Sequence, residues 1–211
     1  MKFNDLPLYE LTIDNDNDGV KFISIVSSPA IESNFLCFSQ DYRFKIQDND
    51  KHIISGLAMI PDFPIYRCNE TNGEFYVKFS ADTIRKIAEK FFNEQRTLSV
   101  NIEHSTITNN AIVIESYFID HNRGISPIEY PSAPNGSWYV TMKINDANLW
   151  ETIKNGNLKG FSIEGVFNIS EEFNKIEQVN NVELPKLDEK EIKQIEELKE
   201  DIYDIIAKII K

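Results

Sequence analysis

Two short segments of the chain carry side chains suited to acyl-transfer chemistry. One is Leu98-Ser99-Val100-Asn101-Ile102-Glu103-His104, the other Lys159-Gly160-Phe161-Ser162-Ile163-Glu164-Gly165. Each sets one useful group, an imidazole or a hydroxyl, into a run that otherwise reads as a buried strand. A neutral imidazole can accept the proton of a serine hydroxyl, and that pairing makes serine a nucleophile at neutral pH. With three histidines in the chain, the search for a general base is short. His104 ends the alternation of Val100 and Ile102, so a place at the end of a strand is expected, where a histidine also serves structural ends. Ser162 draws weight from its surroundings: Phe161, Ile163 and Val166 would bury the strand, while Gly160 and Gly165 let backbone approach closely.

The elements that must hold these groups are legible in part. Leu8 to Val26 contains two β-prone runs around Asp14-Asn15-Asp16-Asn17-Asp18-Gly19, which reads as a solvated hairpin turn. The same stretch begins like an EF-hand loop, but its twelfth position is Ile25 rather than glutamate. Strands are expected over His52–Met59, Glu74–Phe79, Leu98–His104, Ala111–Ile119, Ser137–Ile144 and Phe161–Ile169. Ser80 caps a helix with Ile84, Ile87, Ala88, Phe91 and Phe92 on one face, and a short helix spans Asp146–Asn155 with Gly156 at its end. The tail beyond Leu187 is rich in Glu, Lys and Ile, and Ile195, Leu198, Ile202, Ile205 and Ile209 form a narrow apolar seam. That seam suits a helix packed on its own domain or docked on a partner or a twin.

Bulk composition narrows the function. The chain has 211 residues, 41% hydrophobic and 11% aromatic, enough for one domain with a real core, or one domain plus an appendage. A net charge of −12 with dispersed basic residues argues against nucleic-acid binding. Cys37 and Cys68 lack metal-site spacing and read as free thiols in a reducing compartment. The N-terminal residues lack an apolar signal region, and no apolar run reaches spanning length, so a soluble intracellular protein is expected.

Taken in order, several segments resemble the phage prohead (capsid-maturation) serine proteases, the XkdF-like branch in particular, over roughly residues 20 to 170. Ser24-Ile25-Val26-Ser27-Ser28-Pro29-Ala30 is similar to their S-L-V-x-x-P-A element, and His52 to Asp62 to the strand that opens their barrel. Asn101-Ile102-Glu103-His104 resembles the segment of the family histidine. Gly136 to Val140 and Trp150 to Gly156 resemble the approach to the nucleophile, and Gly160 to Gly165 the segment of the family serine. The resemblance implies an α+β fold, mainly an antiparallel β-barrel of the kind shared with herpesvirus assemblins, over residues 1–180, and the spacing and charge of the tail separately predict an amphipathic helix over 185–211. The S-x-V-x-x-P-A element precedes the histidine here, whereas in many relatives it follows the serine, which reads as a circular permutation.

By the same resemblance, Ser162 is the nucleophile and His104 the base of a serine endopeptidase. It would process scaffold and capsid proteins, and itself, inside the immature capsid in the host cytoplasm, without metal or organic cofactor. Its partners would be the major capsid and scaffold proteins, with a homo-oligomer formed through the C-terminal helix. The acidic position of relatives, two before the S-L-V serine, is Phe22 here, which cannot orient an imidazole. The third group is therefore open. If the loop at 106–110 joins two paired strands, Glu115 becomes a diagonal neighbour of His104. Glu164, two residues from Ser162 on one strand face, and His121 are its rivals. Arg123-Gly124 is a candidate oxyanion turn. The competing reading is a non-catalytic capsid-assembly or structural protein built on the same fold.

Overall fold

In the computed structural model, residues 6–29, 43–69, 73–108 and 110–170 are described. They belong to one unit that runs from Met1 to Phe173. The expected helix over 185–211 with its isoleucine seam, and Cys37, lie outside the described residues. Cys68 is a free, exposed thiol.

The strands are β1 (Leu8–Thr12), β2 (Gly19–Val26), β3 (Lys45–Asp48), β4 (Ile53–Met59), β5 (Ile65–Asn69), β6 (Gly73–Lys78), β7 (Val100–Ile102), β8 (Thr106–Thr108), β9 (Ala111–Phe118), β10 (Trp138–Ile144), β11 (Gly160–Val166) and β12 (Asn168–Ile169). Helix α1 (Ala81–Asn93) follows β6, and α2 (Ala147–Lys154) follows β10. Both helices start where a side chain can satisfy an orphan N–H. Ser80 accepts from Thr83 N, and Asp146 accepts from Leu149 N. Each buries one apolar stripe: Ile84, Ile87, Ala88 and Phe91 from α1, and Leu149, Trp150 and Ile153 from α2.

The fold is α+β and mostly antiparallel, built as three four-stranded sheets: β12-β1-β6-β5, β3-β4-β10-β9 and β11-β2-β7-β8. Two of the pairings, β1 with β6 and β2 with β7, are parallel. The expected closed barrel is not formed by these ladders, because among the described residues β11 and β8 end one sheet and β3 and β9 another. The core runs between the sheets and the helices, with Ile23, Ile25, Val100, Ile54, Met142, Trp138, Phe161 and Phe91 buried together.

The segment after β1 makes a turn but not the expected hairpin. β1 pairs with β6 and β12, whereas β2 pairs with β7 and β11, so the turn passes between sheets. Nor is Asp18 solvated. It is 3% exposed, and its carboxylate accepts the backbone N–H groups of Asp14 and Asn15 and the side-chain amide of Asn168. Those donors hold its carboxyl below the usual range, the Asp14 N–H being the strongest. Gly165 is required nearby: a Cβ there would stand 2.2 Å from the Gly19 carbonyl oxygen, where β11 shifts register against β2.

Candidate active site

The site is assembled on β2, the strand that carries the S-x-V element. Ser24 pairs with Ser162 of β11 on one side and with Asn101 of β7 on the other. Directly paired residues point to the same face, so the three polar side chains form a row across three strands. The opposite face of those strands is apolar, with Ile23, Ile25, Val100 and Phe161 at 0–1% exposure. The row itself is deeply set: Ser24 is 0%, Asn101 3% and Ser162 7% exposed.

His104 reaches this row from a tight turn. β7 stops at Ile102, and β8 returns at once with Ile102 opposite Thr106. Glu103 and His104 take φ of 52° and 55°, and Ser105 N donates to the Ile102 carbonyl. That is the mirror-image turn whose twist matches a hairpin. Its cost is two non-glycine residues in the left-handed region, a feature that clusters at functional sites. The turn is tied down on β2, with Glu103 N donating to the Ile25 carbonyl and Ser27 N donating to Glu103 Oε1.

The turn carries the imidazole round to the face of Asn101 instead of leaving it on the Val100 face, where strand alternation had put it. Ser24 Oγ and His104 Nδ1 share a hydrogen bond of 3.0 Å. The same Nδ1 lies 3.6 Å from Glu164 Oε2, and Asn101 Nδ2 donates to that carboxylate oxygen at 2.9 Å. Asn101 Oδ1 is left buried with no donor among the described residues. Ser162, one strand across from Ser24, makes no side-chain hydrogen bond with the described residues and lines an apolar recess at the edge of the sheet.

The structure therefore brings Glu164 to His104, sets Ser162 one strand away opposite Ser24, and adds Ser24 and Asn101, which sequence reasoning gave no role. The signal for Ser24 was its place in the S-x-V element. Asn101 stood within the histidine segment without distinguishing itself.

Glu115 is not brought to His104. The hairpin expected between Leu98–His104 and Ala111–Ile119 does not form, because β8 takes the place opposite β7 and β9 pairs with β10 in another sheet. Glu115 lies opposite Thr141 and accepts its hydroxyl at 2.7 Å. His121 is held at Ala133, whose carbonyl is 2.9 Å from Nε2. Arg123 and Gly124 cannot serve as oxyanion donors as they stand: their backbone N–H groups are spent on the Asp120 and His121 carbonyls. His52 stacks on Trp150, with ring centroids 4.7 Å apart. Among the described residues, no three His, Cys, Asp or Glu side chains cluster as a metal site requires.

An imidazole with a hydroxyl and a carboxylate beside it holds the group types of a serine hydrolase, but both stand here at Nδ1, whereas in the triad template they occupy opposite ring nitrogens. The chain belongs to the family described as "Putative phage serine protease XkdF", whose profile matches residues 42–171. It is also similar to the phage-like element PBSX protein XkdF of Bacillus subtilis (strain 168), at 26% identity over 166 residues, covering 74% of this chain and 55% of that protein. The chain thus spans about half the length of that curated relative. No solved structure matches it. The matched family segment contains His104, Ser162 and Glu164, and Ser24 lies before it.

Proposed function

We propose that this protein is a serine endopeptidase of phage head maturation that cuts scaffold and capsid-protein segments, and its own chain, within the immature capsid. The observation that carries the reading is the convergence of His104 and Glu164 with the Ser24–Ser162 pair on one sheet face. Ser24 and Glu164 both stand at Nδ1, an arrangement that favours a proton there and leaves Nε2 as the base. Nε2 takes the proton of Ser162 as its oxygen attacks the scissile carbonyl, then returns it to the leaving amine. Glu164 stabilises the imidazolium formed in between, and Asn101 holds Glu164 in place.

Ser162 lies one strand from the Ser24–His104 bond, with Cβ atoms about 4.5–5.5 Å apart in such a pair. A rotation of the imidazole on its turn, drawn by bound substrate, closes that gap; catalytic contacts commonly tighten only in the substrate complex. Capsid and scaffold proteins as partners, and self-association through residues 185–211, belong to the same proposal.

A second reading has its own observation. The serine that touches the imidazole is Ser24, which would make Ser24 the nucleophile. Incubating wild type, Ser162→Ala, Ser24→Ala and His104→Ala with the neighbouring capsid and scaffold proteins separates the readings. Loss of cleavage in Ser162→Ala and His104→Ala, with activity kept in Ser24→Ala, supports the proposal. Cleavage by none of the four, wild type included, favours the non-catalytic assembly protein.

A further inference from the structure

The imidazole of His104 is held lightly by its own bonds. Its side chain is 45% exposed, and it meets the sheet through the 3.0 Å bond to Ser24. The backbone beneath it is strained, with Glu103 and His104 at φ of 52° and 55°, a region that L side chains enter at a cost. Such a turn persists only where its surroundings hold it, and the imidazole moves with it. Ser105 closes the turn on itself, since its N–H and its hydroxyl both donate to the Ile102 carbonyl. That closure sets the shape of the turn but not its place on β2. The ladder between β2 and β7 ends at Ile25 and Ile102, just short of the turn.

Apart from the Ser24–His104 bond, Glu103 alone ties the turn to β2 among the described residues, and it does so twice. Its N–H donates to the Ile25 carbonyl at 3.2 Å, and its Oε1 accepts from Ser27 N at 2.8 Å. A carboxylate on a backbone N–H makes a charge-assisted bond, stronger than a neutral one. Ser27 is itself fixed to the strand of the nucleophile. On one side of it, Lys159 N donates to the Val26 carbonyl at 2.8 Å. On the other, Pro29 packs so closely on Gly160 that a Cβ there would stand 2.5 Å from Pro29 Cγ. Ser162 follows Gly160 by two residues on β11. A bond from Glu103 to Ser27 therefore refers the position of the imidazole to the strand of Ser162 as well as to Ser24.

We propose that Glu103 is a positioning residue whose carboxylate latches the His104 turn to Ser27 and so keeps the imidazole beside the Ser24–Ser162 pair. This rests on the reading of His104 as the base. Glu103 acts through the turn that it anchors, while Glu164 is the carboxylate that stands next to the ring.

The test compares Glu103→Ala and Glu103→Gln in the full chain, because glutamine keeps a side-chain oxygen for Ser27 N and alanine does not. On a scaffold-derived peptide, kcat should fall on the order of 10-fold in Glu103→Ala with KM within about twofold, and Glu103→Gln should stay within about threefold of wild type. Nitrogen-15 spectra of the His104 ring, assigned by their loss in His104→Ala, read its position without any cleavage. Wild type and Glu103→Gln should show the proton held at Nδ1, and Glu103→Ala a ring that exchanges between tautomers. Glu103→Leu, which keeps the bulk without the oxygen, gives the same reading should the alanine chain not fold. A wild-type ring spectrum or an undiminished kcat in folded Glu103→Ala or Glu103→Leu overturns the proposal. So does a Glu103→Gln as impaired as Glu103→Ala, which would make the charge rather than the bond the cause. A loss carried by KM would place Glu103 in substrate binding and overturn it as well. If wild type cleaves nothing, the protease reading falls, and the ring spectra alone decide whether the latch holds His104.

Discussion

Replacing Ser24 by alanine removes one oxygen from a fully buried position and with it the 3.0 Å bond to His104 Nδ1. If Ser24 positions the imidazole, the loss is that of one neutral hydrogen bond, about 0.5–1.5 kcal/mol net. Glu164 remains 3.6 Å from the same nitrogen and still favours the productive tautomer. At 1.36 kcal/mol per decade, turnover on a scaffold-derived peptide should then fall about 2- to 13-fold, with KM little changed. If Ser24 is instead the nucleophile, the loss should be on the order of 10⁶-fold, as when the serine of a catalytic triad is removed. The two cases differ by several decades, far beyond the two- to threefold context dependence of single bonds. The assay is steady-state cleavage at saturating and limiting peptide, with circular dichroism and a thermal midpoint to show that Ser24→Ala is folded. Ser162→Ala is its companion and should be inactive. An inactive Ser24→Ala beside an active Ser162→Ala would refute the assignment of roles, and no loss at all in Ser24→Ala would refute its part in positioning His104.

Glu164→Gln should reduce turnover about 10-fold, since a half-exposed carboxylate 3.6 Å from the imidazole retains only part of its Coulombic effect. Glu115→Gln, whose partner is Thr141, should be silent in the same peptide assay, and a reversal of the two would restore Glu115 as the orienting group. Asp18 supplies an acid limb to stability. Its folded-state pKa is depressed by the Asp14 and Asn15 N–H groups, so its contribution is present above the unfolded value near 4 and is lost as pH falls through the folded value. The stability gap between wild type and Asp18→Asn, measured by urea unfolding, should be widest near neutral pH and close below about pH 4. A gap independent of pH would show that the charge of Asp18 contributes nothing.

The sequence by itself determined what is local. Ser80 and Asp146 declare the starts of α1 and α2, because a capping oxygen and a 3.6-residue apolar stripe act within one or two turns. The strands β4, β6, β10 and β11 follow from alternation and bulk, and the family resemblance picked out His104 and Ser162 as the groups to watch. Pairing across the fold was beyond that reach. Ser24 and His104 stand 80 positions apart and meet only because β2 and β7 pair in parallel, with β3 to β6 and α1 in the crossover between them. The left-handed turn at Glu103–His104 inserted β8 where β9 was expected, which moved Glu115 to another sheet and left Glu164 beside the imidazole. A strand of three residues carries too little pattern to announce its partner, and side-chain period 2 sends every residue to the other face on a slip of one. Register is fixed by which buried faces fit together, a sum over contacts distant in the chain. So the sequence pointed to Ser162 and His104, and the tertiary structure chose their company.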